Sequence, residues 1–310
     1  MKKRILVIGG SGMELTMNMY KIPNPGETIN DDGGVAYIPT GSGTGWAVAL
    51  AHLGGEAVLV SKLGRDLHGQ QLYTYLKEHG VDTSGIKVDT EEPTALTAVF
   101  KTGEEARTVV WQGASARLTR DNVRDAFAGS LDALVLSLDL PVELVIYAIG
   151  CAEARGIPVF VDASPADADY PLESLPPVEV FSPNEKETEA LVGIAPIGAQ
   201  ESLRAAISLY RRVKCRYLVI KQGERGSFIY DGKHYFMIPP IKAGKTVDPA
   251  GAGDAFNAGL VVRYLIGGGD IKSAVQYGSV VSGITVTRPG AHVSVPKENE
   301  VMDFLERYTS

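Results

Sequence analysis

Short apolar runs alternate with amphipathic stretches along most of the chain. The apolar runs are unbroken, as at 134–136 and 158–161, which is typical of strands buried on both faces of a parallel sheet. The predicted strands are 4–9, 56–61, 132–137, 157–162, 178–181 and 216–221, and the predicted helices are 44–53, 66–79, 120–128, 141–155, 184–192, 199–212, 251–266 and 270–286. This alternation predicts an α/β fold of three α/β/α layers around a mostly parallel sheet, with ligands at the carboxyl ends of the strands.

Three stretches depart from this rhythm, because residues 13–20, 33–38 and 94–111 alternate apolar and polar positions as half-buried strands do. The last of them predicts a hairpin that turns at 102–105. We interpret the three as a small β-sheet lid within a single domain of residues 1–310, covering a site that excludes water. A half-exposed apolar sheet can also pair with a second copy, so we expect a homodimer through the lid.

Composition narrows the classes of partner. The 310 residues are 45% hydrophobic, carry a net charge of −7 and contain no basic block, which argues against nucleic acid and anionic membranes. No apolar run approaches the length of a membrane span. Cys151 and Cys215 lie in separate apolar segments and are expected to be free thiols in a reducing cytoplasm. The five histidines show no metal-ligand spacing, so we expect structural or surface roles for His52, His68, His79, His234 and His292.

The stretch at 246–259 carries the strongest chemical signal. Gly251 and Gly253 allow the backbone to approach a ligand closely. The amides of Ala252, Gly253 and Asp254 would lie at the start of a helix, which favours an anion. A carboxylate there would repel a phosphate, but Asp254 has a purpose if it takes the proton from an attacking hydroxyl. An anion hole beside a base is the minimal equipment for phosphoryl transfer.

A simpler reading of the same residues is a glycine-led helix start, with Asp254 as a first-turn residue. The complete string is more specific than that, since Asp248, Gly251, Ala252, Gly253, Asp254, Phe256 and Gly259 all take part. With this string the chain resembles the ribokinase-like (phosphofructokinase B-type) family of carbohydrate and nucleoside kinases. The resemblance covers nearly the whole chain, including a Pro-Gly-Glu-Thr element at 25–28 and a glycine-rich turn at 40–47.

The resemblance implies an ATP-dependent kinase that transfers the γ-phosphoryl group to a hydroxyl of a sugar or sugar derivative. It implies Asp254 as general base, and the amides of Gly251, Ala252 and Gly253 as the anion hole. Two other readings stay open: a nucleoside kinase of the same fold, in which Trp46 stacks on the base, and a non-catalytic protein that binds a sugar or nucleotide. The identity of the acceptor is not encoded in these motifs.

On the acceptor side, the resemblance implies substrate contacts near the glycine-rich turn and the lid. Relatives use an Asp where this chain has Glu14, and Asn where it has Gly12, Gly45 and Ser115. Loss of amides that bind substrate hydroxyls suggests a different acceptor or other contacts. Arg107 would suit an anionic group on the substrate, and the alternative is an exposed arginine of the hairpin with no such role. Gln112 is a further candidate. The expected substrate-binding residues are Gly12, Glu14, Gly41, Gly43, Gly45, Arg107, Ser115 and Asp254.

On the nucleotide side, Asn184 and Glu187 match the family's Asn-x-x-Glu motif, which implies that Glu187 acts on magnesium through water. The same pair also fits a helix capping box. The loop of Lys221, Gly223 and Gly226 matches the family's nucleotide loop. Together with Gly251 and Gly253, these residues form the expected ATP site.

The closing segment at 281–296 also matches the family. In relatives, this segment and the loop before the anion hole supply carbonyl oxygens for a monovalent cation, usually potassium. Pro249 and Ala250 replace the threonines common there, although their backbone oxygens remain. The matching positions, for which a potassium requirement stays open, are Asp248, Ala250, Thr285, Arg288, Gly290 and Ser294.

Overall fold

Eight strands form the central sheet in a computed structural model that describes residues 2–103 and 105–309. The strands are β1 (Arg4–Ile8), β4 (Glu56–Val60), β9 (Ala133–Ser137), β10 (Val159–Asp162), β11 (Val178–Ser182), β12 (Cys215–Lys221), β13 (Ser227–Tyr230) and β14 (Tyr235–Ile238). Their spatial order is β14-β13-β12-β11-β10-β9-β1-β4, parallel from β12 to β4, with β13 and β14 added antiparallel on one side. This confirms the predicted fold class.

Helices cover both faces of this sheet because its strands present apolar side chains to both. In β1, Ile5 and Val7 pack into one core, while Leu6 and Ile8 pack into the other. The first core also takes apolar residues from α1 (Ser42–His52), α2 (Leu67–Glu78), α7 (Ala252–Ile266), α8 (Ile271–Thr285) and α9 (Glu298–Thr309). The second takes them from α3 (Arg120–Ala126), α4 (Val142–Glu153), α5 (Glu185–Val192) and α6 (Gly198–Arg212).

The early alternating stretches form a separate four-stranded sheet, in the order β3-β2-β7-β8. It consists of β2 (Gly12–Asn18), β3 (Val35–Thr40), β7 (Ala95–Thr102) and β8 (Glu105–Trp111). The hairpin of β7 and β8 turns where predicted, although Glu104 lies outside the described residues. A further pair, β5 (Lys62–Gly64) and β6 (Lys87–Asp89), has no counterpart among the predicted strands.

The parallel strands place several polar residues at their carboxyl ends. Asp162 and Lys221 end β10 and β12, Asp139 follows β9 by two residues, and Asn184 follows β11. Helix α7 begins beside these carboxyl ends, where its first residues line a cleft of about 1050 Å³. Among the described residues, no helix combines the length and apolar character needed to cross a membrane.

Candidate active site

The cleft is built around the first turn of α7. Gly251 precedes the helix with φ of 76° and packs against the backbone of Ala291, where a Cβ would lie 2.9 Å from the carbonyl carbon. Only glycine combines this left-handed conformation with so close an approach. Gly251, Ala252, Gly253 and Asp254 all line the cleft. The first amides of a helix have no intrahelical acceptor. The Ala252 amide donates to the Pro249 carbonyl at 3.3 Å, so this turn can receive an anion chiefly through its other amides.

Asp254 is the acidic residue of that first turn, and its side chain is 21% exposed to solvent. Burial raises the pKa of the Asp254 carboxyl to about 8, and the negative charges of Asp162 and Asp139 add to the shift while Lys221 opposes it. A carboxylate in this setting binds a proton more tightly than an ordinary aspartate, which suits a proton acceptor.

A buried chain of polar side chains fixes Lys221, the lysine that faces the first turn of α7. Lys221 Nζ donates to Asp162 Oδ1 at 3.0 Å, and Asn257 Nδ2 donates to Asp162 Oδ2 at 2.6 Å. Ser182 Oγ in turn donates to Asn257 Oδ1 at 2.9 Å. A Cβ at Gly253 would lie 4.0 Å from Lys221 Nζ, with no other atom within that distance. The ammonium group and the first turn of α7 therefore face the same open space.

Asn184 and Glu187 form the capping box that the sequence indicated. Asn184 Oδ1 accepts from the Glu187 amide at 2.9 Å, and both Glu187 oxygens accept from Asn184, at 2.7 and 2.8 Å. Burial raises the pKa of Glu187, Lys221 opposes the shift and Asp162 adds to it. Both predicted residues line the cleft, as do Lys221, Gly223 and Gly226. The structure thus brings together all of the expected ATP-binding residues.

The acceptor side contains fewer of the expected residues. Gly41 lines the cleft, and the adjacent Ser42 donates to Asp139 Oδ2 at 2.6 Å. Ser137 donates to the other Asp139 oxygen at 2.7 Å, and burial raises the pKa of Asp139. Gly43 and Gly45 lie within α1, directly after this turn.

Six expected substrate contacts do not line the cleft: Gly43 and Gly45 in α1, and four residues in or beside the four-stranded sheet. The Glu14 carboxylate accepts from Thr16 at 2.6 Å on β2, and Arg107 lies exposed on β8. Gly12 packs against β7, where a Cβ would lie 2.8 Å from the Ala95 side chain. The Ser115 hydroxyl is used internally, because it donates to the Ser11 carbonyl and accepts from the Ser11 amide.

The two segments expected to bind a monovalent cation lie against each other. Asp248 Oδ2 accepts from the Gly290 amide at 3.2 Å, and Asp248 Oδ1 accepts from Ala250 at 3.0 Å. The Thr285 carbonyl accepts from the Arg288 amide at 3.2 Å, and Ser294 donates to Ala291 at 2.6 Å. Within the described residues, no group of three or more His, Cys, Asp or Glu side chains could hold a metal ion. The oxygen atoms at this junction include backbone carbonyls and the Asp248 carboxylate.

The sequence analysis assigned no role in the cleft to three of its side chains, those of Asp139, Asp162 and His292. Asp139 and Asp162 follow or end strands that the sequence did predict, so the strand-end rule could have found them. His292, expected to be structural or on the surface, lines the cleft, with Nδ1 at 3.5 Å from Asp254 Oδ2. It is 8% exposed, and burial lowers its pKa to about 4. Only the fold brings residue 292 beside residue 254.

Comparisons with known proteins agree with this geometry. A family profile described as "pfkB family carbohydrate kinase" matches residues 2–298. The chain is 29% identical to ribokinase of Haemophilus influenzae over 311 residues, covering 99% of both. It is 28% identical to a bifunctional ribokinase/ribose-5-phosphate isomerase A of Fructilactobacillus sanfranciscensis, of which it spans 56%. The structure of Arabidopsis thaliana ribokinase complexed with ribose and ATP superposes with a TM-score of 0.89 over 99% of each chain, at 23% identity.

Proposed function

Because this chain belongs to the pfkB family of carbohydrate kinases, we propose that Asp254 is the general base of a sugar kinase reaction. Membership confirms the resemblance found in the sequence and makes the protein an ATP-dependent kinase whose acceptor is an alcohol group of a sugar or sugar derivative. The observation that carries the role of Asp254 is its place in the first turn of α7, inside the cleft and beside the anion hole.

In this proposal Asp254 accepts the proton of the acceptor hydroxyl as that oxygen attacks the γ-phosphorus. The bond from the γ-phosphorus to the β–γ bridging oxygen breaks in the same transfer, and ADP leaves. Its raised pKa of about 8 makes the ionised form a strong proton acceptor. The amides of Gly251, Ala252 and Gly253 stabilise the charge on the transferred phosphoryl group, since they are oriented before the reaction begins. Positioning and electrostatics of this kind account for most of the catalysis in phosphoryl transfer.

ATP binds the part of the cleft lined by Asn184, Glu187, Lys221, Gly223 and Gly226. Lys221 is suited to the phosphates because Asp162 holds it next to Gly253. The residues also fit magnesium, because Glu187 and Asp162 are buried carboxylates beside a place for phosphate, and a divalent cation must balance these charges. When bound, magnesium neutralises charge on the phosphates. Glu187 would hold it through water, and the capping box orients that carboxylate.

The acceptor binds next to Asp254, where Gly41 and Asp139 line the cleft. Glu14 and Arg107 belong to the four-stranded sheet and would reach the acceptor if this sheet closes as a lid over the cleft. Gly12 and Ser115 have structural roles, since Gly12 packs against β7 and Ser115 bonds to the backbone of Ser11. Gly43 and Gly45 allow α1 to pack closely against Gly9 and against the Asp254 side chain.

We also propose that residues 1–310 act as one catalytic unit that pairs with a second copy through the lid. The lid exposes apolar side chains on its two edge strands, namely Val35, Tyr37, Val109, Val110 and Trp111. Both cysteines are free, which fits a cytoplasmic location. The carbonyls of Asp248, Ala250, Thr285, Arg288, Gly290 and Ser294 are the proposed ligands of potassium.

The test is ADP formation from ATP and magnesium with a panel of acceptors, comparing wild type with Asp254→Asn. The panel contains D-ribose, 2-deoxy-D-ribose, D-fructose, a sugar acid and adenosine, in potassium and in sodium buffer. We expect turnover on a sugar that is nearly abolished in the variant, while ATP binding measured by calorimetry is kept. Trp46 lines the cleft but is only 2% exposed and packs in the core, so we do not expect its indole to be a stacking platform for adenosine. Turnover on adenosine alone, or on no acceptor while ATP still binds, would contradict the proposal.

A further inference from the structure

The space beside Gly45 is filled by two side chains from elsewhere in the chain. Gly45 lies inside α1, where glycine is a poor helix former. A Cβ at this position would overlap Asp254 Oδ2 and would lie 2.5 Å from His292 Cε1 and 2.7 Å from His292 Nδ1. The missing side chain at residue 45 therefore allows the carboxylate and the imidazole to meet against α1.

His292 presents an unpaired nitrogen to this space. Its Nδ1 is buried and has no hydrogen-bond partner among the described residues, and Asp254 Oδ2 lies 3.5 Å away. An ionised carboxylate only accepts hydrogen bonds, so the tautomer protonated at Nδ1 is the one that matches ionised Asp254.

The backbone that carries His292 is held in an unusual conformation. Ala291 has φ of 48°, and it is the one non-glycine residue with positive φ in the described part of the chain. Its carbonyl oxygen accepts from Ser294 and packs against Gly251, the residue that opens α7. Strain of this kind persists where the surrounding structure fixes a functional geometry. The turn before His292 and the start of the catalytic helix are thus fixed against each other.

We propose that the His292 imidazole donates its Nδ1–H to Asp254 Oδ2 and so orients the base, which makes His292 a positioning residue. The inference rests on the proposed role of Asp254. With Oδ2 held, Oδ1 remains to accept the proton of the acceptor hydroxyl. Hydrogen bonds of this type are often long before the substrate is bound and shorten in the reacting complex.

The charges around Asp254 do not supply this contact themselves. Asp162 and Asp139 are negative, and Lys221 is engaged by Asp162 at 3.0 Å. No described residue other than His292 has a nitrogen or hydroxyl paired with the Asp254 carboxylate in the structure. Without His292, the ionised carboxylate would face two like charges with no fixed hydrogen-bond donor.

The hydrogen bond can be tested without an acceptor, by NMR of protein labelled with ¹⁵N-histidine. His292→Asn assigns the His292 ring among the five histidines. We expect His292 to carry its proton on Nδ1 at pH 8.5, with a proton resonance that shifts or disappears in Asp254→Ala. Asp139→Ala removes a carboxylate from the same cleft and is the matched control, which should keep the Nδ1–H tautomer. A ring protonated on Nε2 in the wild type, or one indifferent to Asp254→Ala, would overturn the proposal.

The kinetic arm compares His292→Asn with His292→Leu on a sugar that the wild type phosphorylates. An asparagine amide can place an N–H near the position of Nδ1, whereas leucine fills the space without a donor. We expect His292→Leu to lower kcat on the order of 10²-fold, as misplacement of a reacting group does, with KM for ATP unchanged and with most of kcat restored in His292→Asn. Equal losses in the two variants would indicate packing alone and would contradict the proposal. Because the NMR arm needs no turnover, its result is independent of whether the proposed function is correct.

Discussion

Replacing the buried carboxyl of Asp254, the proposed general base, with an amide should make the protein more stable while it abolishes activity. Burial raises the pKa of Asp254 from its ordinary value of 3.8 to about 8. Between these values the folded protein keeps a proton that the unfolded chain has lost. The stability from that proton is complete below pH 3.8 and disappears as the pH rises through about 8. Asp254→Asn cannot ionise, so it escapes this loss.

The pKa of Asp254 differs between the folded and unfolded states by the gap between about 8 and 3.8. At about 1.36 kcal/mol per pH unit, the stability gained by Asp254→Asn above pH 8 is at most about 6 kcal/mol. The Asp254 side chain is 21% exposed, and an effective dielectric constant of about 20 describes such sites best. We therefore expect Asp254→Asn to be more stable than wild type by about 1–3 kcal/mol. At about 2–4 °C per kcal/mol for domains of this order, Tm should rise by several degrees.

Thermal unfolding at pH 5 and pH 8.5, without nucleotide, measures this gain. Asp303→Asn, an exposed aspartate on α9, is the matched control. The advantage of Asp254→Asn over wild type should be small at pH 5 and should grow towards pH 8.5, while the control stays level at both. A variant that is less stable than wild type at pH 8.5, or an advantage independent of pH, would refute the reasoning about burial.

Three further predictions concern the cleft. Glu187→Gln keeps the capping box, because glutamine serves at that position, so Tm should hold while the magnesium concentration for half-maximal activity rises at least several-fold; an unchanged requirement would contradict the magnesium role. Gly45→Ala should lower kcat on the order of 10²-fold, because the added Cβ displaces the Asp254 carboxylate. Gly150→Ala is the control and should leave kcat unchanged, since a Cβ there meets nothing within 4 Å. Equal effects of the two variants would argue against the contact between residue 45 and Asp254. Asp139→Asn removes a charge that raises the pKa of Asp254, so the acidic limb of the pH profile of kcat/KM should move to lower pH, and a limb that stays in place would contradict the coupling.

Most of the fold is legible in the sequence because buried parallel strands are apolar throughout. The six predicted strands correspond to β1, β4, β9, β10, β11 and β12, with ends that differ by up to two residues. The hairpin of β13 and β14 was not predicted, since each strand has only four residues. Helix α9 was also missed, although its apolar residues follow a helical spacing.

The site divides in the same way between local and long-range features. Gly251 and Asp254 are three residues apart, as are Asn184 and Glu187, so each pair can be recognised as a local sequence motif. The network of Lys221, Asp162 and Asn257 joins residues up to 95 positions apart, and no spacing rule connects them. His292 is recognisable only after the fold places it against Asp254, because a lone histidine in an apolar segment has no distinguishing pattern.

Phosphorus NMR of the complete reaction tests the central claim most directly. The mixture contains ATP, magnesium and the sugar that gives the highest ADP formation, with wild type or Asp254→Asn. The account predicts a new phosphomonoester signal, coupled to carbon-bound protons of the sugar, that grows as the γ-phosphate of ATP declines and is absent with the variant. Release of inorganic phosphate alone by the wild type, or formation of the same ester at an undiminished rate by Asp254→Asn, would contradict it.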